Sequence, residues 1–285
     1  MTANVRPDPR PDAFPGQELV YQSIQRLWSA WARRRYRGEF ERVTAFALFV
    51  GYPRSGHSVV GAMLNAHRHA VVSHELDVSR LVLAGCGRDE VFARILARAG
   101  WFNLRGNRSN YRYQVPNGWQ GRFESLRVVG DKGGGWVSQA LGRHPDLLER
   151  LAATVRVPLR LIHVVRNPWD NIAAIARWHR LPLEESTAFY FAHCDVTSAL
   201  VGRDDLLTVR HEAFIEAPKE ALSRVCRHLG LPVDDDYLAA CASIVFERPS
   251  GASRLVEWRP AQIAEVGRRA ADLAFLREYR FDGAT

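Results

Sequence analysis

Phe49-Val50-Gly51-Tyr52-Pro53-Arg54-Ser55-Gly56-His57-Ser58 is the stretch on which the reading of this chain turns. The short β-prone run Thr44–Val50 leads into it, and the helical pattern His57–Ala66 leads out. Glycines at 51 and 56 let the backbone turn so that amide N–H groups converge above a helix N-terminus, which makes an anion cradle. The spacing parallels the phosphate-loop pattern G-x-x-x-x-G-K-[ST]. Gly51, Gly56 and Ser58 fit it. His57 stands where the lysine belongs, and the cation sits inside the loop, at Arg54. The lysine serves the β/γ-phosphates of a nucleoside triphosphate, so trading it for Arg54 points to another phosphate ligand. A plain strand–turn–helix corner fits the same residues, and the loop alone does not decide between the two.

Outward from this loop the pattern alternates. Strands are predicted at Thr44–Val50, Ala70–Ser73, Leu126–Val129, Leu159–Val165 and Leu206–Arg210. Helices are predicted at His57–Ala66, Val78–Ala84, Glu90–Ala99, Pro145–Thr154, Trp169–Trp178, Glu184–Val201, Pro218–Leu229, Asp234–Ser243 and Pro260–Arg269. Arg105–Gly121, rich in Asn, Gly and Tyr, reads as a long loop, and Gly133-Gly134-Gly135 as a flexible turn. Short apolar strands between helices imply an α/β fold: a P-loop-like parallel sheet of about five strands flanked by helices, with ligands at the strands' C-terminal ends.

The expected organisation is an N-terminal arm and amphipathic helix over residues 1–43, then one α/β domain over 44–285. Met1–Gly16 holds prolines at 7, 9, 11 and 15 and reads as an irregular arm. From Gln17 to Arg37, Val20, Ile24, Leu27 and Trp31 recur at helical spacing, with Arg26, Arg33, Arg34, Arg35 and Arg37 on the other faces. The expectation is a helix packed on the domain with a solvated basic face; a membrane-surface or partner-binding helix is the alternative.

The 285 residues carry 39 Lys and Arg against 31 Asp and Glu, a net charge of +8. That excess favours an anionic partner, and arginine's planar fork suits phosphate and sulfate oxygens. Cys86, Cys194, Cys226 and Cys241 form no CxxC pair and no zinc spacing, which reads as reduced thiols. No transmembrane segment and no signal peptide is legible, so a cytoplasmic protein is expected.

Further motifs agree with the loop. Pro53-Arg54-Ser55-Gly56 resembles the 5′-phosphosulfate loop of sulfotransferases that use 3′-phosphoadenosine 5′-phosphosulfate (PAPS). The longer pattern, Arg54-Ser55-Gly56, then Ala62-Met63-Leu64-Asn65-Ala66-His67, then Glu75, is most similar to tyrosylprotein sulfotransferases, which show R-S-G-T-T, A-M-L-D-A-H and a glutamate at the same offset. Val165-Arg166-Asn167-Pro168-Trp169-Asp170 resembles the family's V-R-N-P-x-D stretch. Val209-Arg210-His211-Glu212 through Pro218, with Leu229-Gly230-Leu231, resembles its Y-E-x-L-x-x-x-P and F-L-G regions.

The resemblance implies the site. Arg54, Ser55, Gly56, His57 and Ser58 would cradle the 5′-phosphosulfate, with Arg54 also a catalytic cation. Arg166 would bind the 3′-phosphate, and Arg254 would join from a late basic loop. The family's second 3′-phosphate ligand, a serine, falls on Ala174 here, with Asn171 or Arg254 as stand-ins. Lys132 at the end of the third strand would lie near the bridging oxygen. Glu75, just past the second strand, is the expected general base. His74 is the alternative, since cytosolic sulfotransferases use histidine. Neighbouring strand residues point to opposite faces, so only one of the two is expected to serve. No metal is expected, because cations and amide dipoles can carry the charge.

Two other classes fit the same sequence. A P-loop small-molecule kinase would need Mg and is disfavoured by His57; a non-catalytic nucleotide- or RNA-binding protein would use the basic surface, although no RNA-binding motif is legible and no nucleic acid is expected. The acceptor, a small molecule, carbohydrate, lipid or peptide, is not legible. Trp101, Phe102, Tyr111, Tyr113 and Trp119 are candidates to wall its pocket.

Overall fold

The computed structural model describes residues 27–105 and 113–282. The N-terminal arm, the first part of the predicted amphipathic helix, and the tip of the 105–121 loop with Tyr111 lie outside them. A helix through residues 27–35 (α1) is followed by α2 (Arg37–Phe40), β1 (Ala45–Val50), α3 (His57–Asn65), β2 (Ala70–His74), α4 (Val78–Leu83), α5 (Arg88–Arg105), β3 (Val128–Gly134), α6 (Gly135–Arg143) and α7 (Leu147–Val155). Then come β4 (Leu159–Val165), α8 (Pro168–His179), α9 (Leu183–Ser198), β5 (Leu206–Arg210), α10 (His211–Glu216), α11 (Pro218–His228), α12 (Asp235–Ala242), a 3-10 turn (Ala252–Leu255) and α13 (Pro260–Ala271).

The strands form one five-stranded sheet in the order β2-β3-β1-β4-β5, every pair parallel. β1 is buried at all six residues and lies at the centre. Its Phe46, Leu48 and Val50 enter a core with α5, α6 and α7; its Ala45, Ala47 and Phe49 enter another with α3 and α11. Burial on both faces explains why the strand sequences are continuously apolar rather than alternating. A third cluster, built from Tyr52, Val165, Trp169, Tyr190 and Phe191 with α13, closes the end of the sheet beneath the β1–α3 loop.

The chain leaves β1 toward β2 and leaves β3 toward β4 on the other side of β1. The strand order therefore reverses at β1, and a crevice opens outside the strands' C-terminal ends there. The β1–α3, β2–α4, β3–α6 and β4–α8 turns all reach that edge.

Two expectations need correction. Gly133-Gly134-Gly135 is not a flexible turn: β3 runs through Gly134 and α6 starts at Gly135, with the reversal confined to Gly134 at φ 46°. The chain can turn so sharply because its glycines leave room; a Cβ on Gly134 would sit 2.8 Å from the His57 ring. In α1 the two described members of the predicted apolar stripe do not face the domain. Ser29 and Ala32 are buried, and Leu27 and Trp31 point outward. Small side chains let the helix approach closely along the other face.

Among the described residues no helix is long and apolar enough to cross a membrane. All four cysteines are free; Cys194, Cys226 and Cys241 are buried.

Candidate active site

The β1–α3 loop is held from four sides. Ser138 of α6 accepts a hydrogen bond from the Gly51 N–H at 2.9 Å. Asn171 of α8 donates to the Pro53 carbonyl at 2.9 Å, and Arg166 donates to the Arg54 carbonyl at 3.2 Å. His211, at the start of α10, lies against Gly56, where a Cβ would stand 2.2 Å from its Nδ1. Gly56 is the N-cap of α3 with φ 96°, and no side chain caps that end. The first-turn N–H groups of α3 are thus left for a ligand, with the positive end of the helix dipole behind them. Arg54, also left-handed at φ 67°, stacks over Trp178 at 4.6 Å.

His57 occupies the phosphate-loop lysine position and is buried. Its Nδ1 lies 3.1 Å from the Ser55 hydroxyl. Burial, and after it the nearby Lys132 ammonium, push its pKa well below the usual imidazole value, so the ring is neutral. A neutral ring can donate one hydrogen bond but brings no charge. Ser58 is the second residue of α3 and half-buried.

The lysine charge that His57 does not supply comes from β3. Lys132 is 1% exposed, its stem lies along α3 at Gly61, and its Nζ donates to Glu75 Oε1 at 2.6 Å. Gly61 has to be small, because a Cβ there would sit 2.9 Å from Lys132 Cγ. The register of β2 on β3, which pairs His74 with Lys132, brings these distant residues together. The Glu75 side chain keeps 44% exposure, so one partner is sealed and the other faces the crevice. Burial raises the Glu75 pKa, but Lys132 and the neighbouring His74 outweigh it and hold the carboxyl at about 2.

His74 and Glu75 are not separated by strand alternation. Glu75 follows the strand in the left-handed region, φ 54°, and this turns its carboxylate back until Oε1 is 3.8 Å from His74 Nε2. Both side chains therefore reach the same place. Burial first, then Lys132, hold His74 at about 3, so it is a neutral imidazole stacked on Phe102 at 4.6 Å.

Asp131 is a residue that the sequence did not single out. It is wholly buried and points to the opposite face from Lys132. Its Oδ1 accepts from Ser73 Oγ at 2.8 Å and from the Leu76 N–H at 3.1 Å, and its Oδ2 accepts from the Val78 N–H at 3.1 Å. These donors bracket Glu75 and Asp77, two non-glycine residues at positive φ. The carboxylate thus offsets the cost of a strained turn that carries Glu75. Burial raises the Asp131 pKa, while Ser73 and the amides act against it. Asp131→Asn replaces one acceptor oxygen by an NH2 group that faces a donor. It is expected to cost about 1–3 kcal/mol in stability and to lower turnover while leaving nucleotide affinity unchanged. Denaturant unfolding together with separate kcat and KM values checks this.

Arg166 follows β4 and is buried. Besides the Arg54 carbonyl, it donates through Nη2 to the Ser250 carbonyl at 2.6 Å and the Ser250 hydroxyl at 3.0 Å, with Asp170 at 3.9 Å. Asp170 in turn accepts from the Ser253 N–H at 2.7 Å. The segment ahead of the 3-10 turn is thereby fastened over the Arg166 corner. Arg254 lies in that turn, exposed, with its stem folded over Gly251. Ala174 offers no hydroxyl, Asn171 is committed to the loop, and Ser250 brings a hydroxyl to Arg166 from far along the chain. Asn167 caps α8, accepting from the Trp169 and Asp170 N–H groups, and its own N–H donates to Glu212.

His211 is the other site residue that sequence reading left without a role. Burial, then the Arg166 guanidinium, depress its pKa to about 4. Its place at the C-terminal end of β5 was the available signal. Among the described residues, no three His, Cys, Asp or Glu side chains converge as a metal-ligand set. Of the aromatic candidates for an acceptor wall, Phe102 lies beside the base; Tyr113 instead packs against the core under α3.

A crevice at the strand-order reversal, an amide-lined loop, a buried lysine and a paired carboxylate define an enzyme acting on an anionic group. The chain belongs to the sulfotransferase family, whose model, described as "Sulfotransferase family", matches residues 47–235. It is an enzyme of sulfuryl transfer. Comparison with curated proteins returns no match. Among solved structures, a sulfotransferase from Mycobacterium avium superposes with a TM-score of 0.53 at 11% identity, over 94% of this chain and 86% of that one. The sulfotransferase domain of the Synechococcus olefin synthase gives 0.51 at 17%, over 82% and 96%. The sulfotransferase domain of the curacin biosynthetic pathway gives 0.51 at 16%, over 82% and 99%. At these identities the likeness concerns the fold, and the narrower similarity to tyrosylprotein sulfotransferases rests on the motifs alone.

Proposed function

We propose that the protein moves the sulfuryl group of PAPS to an acceptor hydroxyl or amine, with Glu75 as general base and Lys132 and Arg54 as the cations at the leaving group. The observation that carries this reading is the Lys132–Glu75 contact beside the uncapped N-terminus of α3. It sets a carboxylate and an ammonium within hydrogen-bonding distance of each other, at the mouth of an amide-lined loop. The fit to the nucleotide is physical: orphan amides at 57 and beyond, no competing side-chain cap, and an arginine corner with a serine hydroxyl. PAPS would supply the activated sulfuryl group and a phosphate leaving group.

The residues divide the work. The loop amides, Ser55, His57, Ser58 and Arg54 hold the 5′ end. Arg166 and Ser250, with Arg254 from the turn, hold the 3′-phosphate, and Ser250 takes the place of the serine missing at Ala174. Glu75 accepts the acceptor's proton. Lys132 neutralises charge as the leaving oxygen departs, and as its ammonium turns there Glu75 is released to become a stronger base. His74, with its Nε2 3.8 Å from Glu75 Oε1, is assigned the role of orienting that carboxylate.

Calorimetric binding of 3′-phosphoadenosine 5′-phosphate (PAP), with adenosine 5′-phosphate for comparison, tests the reading. The 3′-phosphate is expected to improve binding by about 10-fold or more, as charge-assisted hydrogen bonds do, without added metal. Arg166→Ala should erase the preference. Equal binding of the two nucleotides sinks the proposal; Mg-dependent ATP binding would favour a kinase, and strongly salt-dependent RNA binding a nucleic-acid partner.

A further inference from the structure

The outward face of α1 is the strongest feature that transfer chemistry leaves unused. Leu27 is 73% exposed, Trp31 52% and Trp28 41%, while Ser29 and Ala32 face the domain. Leu27 and Trp31 are one turn apart, so they form a single stripe. Burying serine and alanine while exposing leucine and two indoles inverts the usual arrangement of a surface helix. Trp28 and Trp31 lie 5.9 Å apart, and Trp31 meets Tyr36 edge-on at 5.6 Å, so the aromatic patch is continuous. Arg33, Arg34, Arg35 and Arg37 are all exposed at its C-terminal end.

We infer that α1 docks the protein on an anionic lipid surface, with Leu27, Trp28 and Trp31 at the level of the acyl boundary and Arg33, Arg34, Arg35 and Arg37 among the headgroups. Two kinds of residue point the same way. Tryptophan is suited to the bilayer interface, where its ring is apolar and its N–H finds water. Arginines extend past an apolar stripe to reach phosphates. The cluster is all of one sign on a chain of net charge +8, which complements an anionic bilayer.

α1 packs directly on α5. The Trp28 ring packs on Gly100 so closely that a Cβ there would stand 2.7 Å from it. Two residues along α5, Phe102 stacks on His74 beside Glu75. The inference does not depend on which nucleotide is bound.

The test is co-sedimentation of the full chain with vesicles of phosphatidylcholine alone and of phosphatidylcholine with phosphatidylserine, at low and high salt. Binding is expected only to the mixed vesicles, and salt should weaken it. The pair Leu27→Ser and Trp31→Ser should lower partitioning by at least about 10-fold, and Arg33→Glu with Arg34→Glu by a further fivefold or so per arginine. All these side chains are exposed, so PAP binding and the melting temperature should match the parent and certify the fold. Equal sedimentation with both vesicle types, or partitioning unchanged in the variants, overturns the proposal. So does lipid-free dimerisation abolished by Leu27→Ser and Trp31→Ser, because that face would then close on a second copy of the chain.

Discussion

Glu75→Gln is expected to lower turnover by about 10²–10⁴-fold, the usual share of a general base, with PAP binding unchanged. Glutamine keeps the size of the side chain and can still accept a hydrogen bond from Lys132 Nζ, so the change removes charge and basicity while the β2–α4 turn, held by Asp131, stays in place. The pH profile adds a second check. The free-enzyme carboxyl is held at about 2, below its ordinary value, so it is ionised throughout the neutral range and kcat/KM should show no acid limb from this group. The same shift contributes stability above the ordinary carboxylate pKa, and that contribution is lost as pH falls toward 2. His74→Asn separates the two candidates: a few-fold loss agrees with an orienting role, whereas a loss as large as that of Glu75→Gln would make His74 the base.

The sheet was legible because each strand is a short apolar run buried on both faces. β4 and β5 have the predicted limits, and the others differ at their ends. The sequence misjudged the places where a local signal and a distant partner disagree. Three glycines in a row read as flexibility, yet they fit β3 and α6 around His57, which no local pattern reports. Alternation separated His74 from Glu75, because glutamate gives no sign of a positive φ; the turn exists because a carboxylate on the next strand binds its amides. Arg54 and Arg166 were singled out by their resemblance to family motifs, but Ser250 and His211 reach the same corner from elsewhere in the chain. In α1 the described part of the stripe, Leu27 and Trp31, faces outward rather than inward: periodicity says which side chains share a face, not which face meets the domain.

Lys132→Met should cost about 10²–10³-fold in turnover, comparable to removing one preorganised donor from a charge-stabilising site. Methionine fills most of the lysine channel along Gly61, so the packing against α3 survives. The ammonium is lost, and with it the largest influence holding the Glu75 carboxyl down; burial then acts without that opposition, and its pKa must rise. Carbon NMR of the Glu75 carboxyl in the Met variant should show this rise, which would appear in kcat/KM as a new acid limb. The signs are opposed in a useful way. A lysine that only balanced Glu75 would, when removed, yield a stronger base and a milder loss. A lysine that also stabilises the leaving oxygen leaves a large loss despite the better base. In the double variant with Glu75→Gln, the two losses should fall short of additive, because the residues touch and share one step. Full additivity would mean that the 2.6 Å contact is incidental to transfer and that another cation, Arg54 first, carries the leaving group.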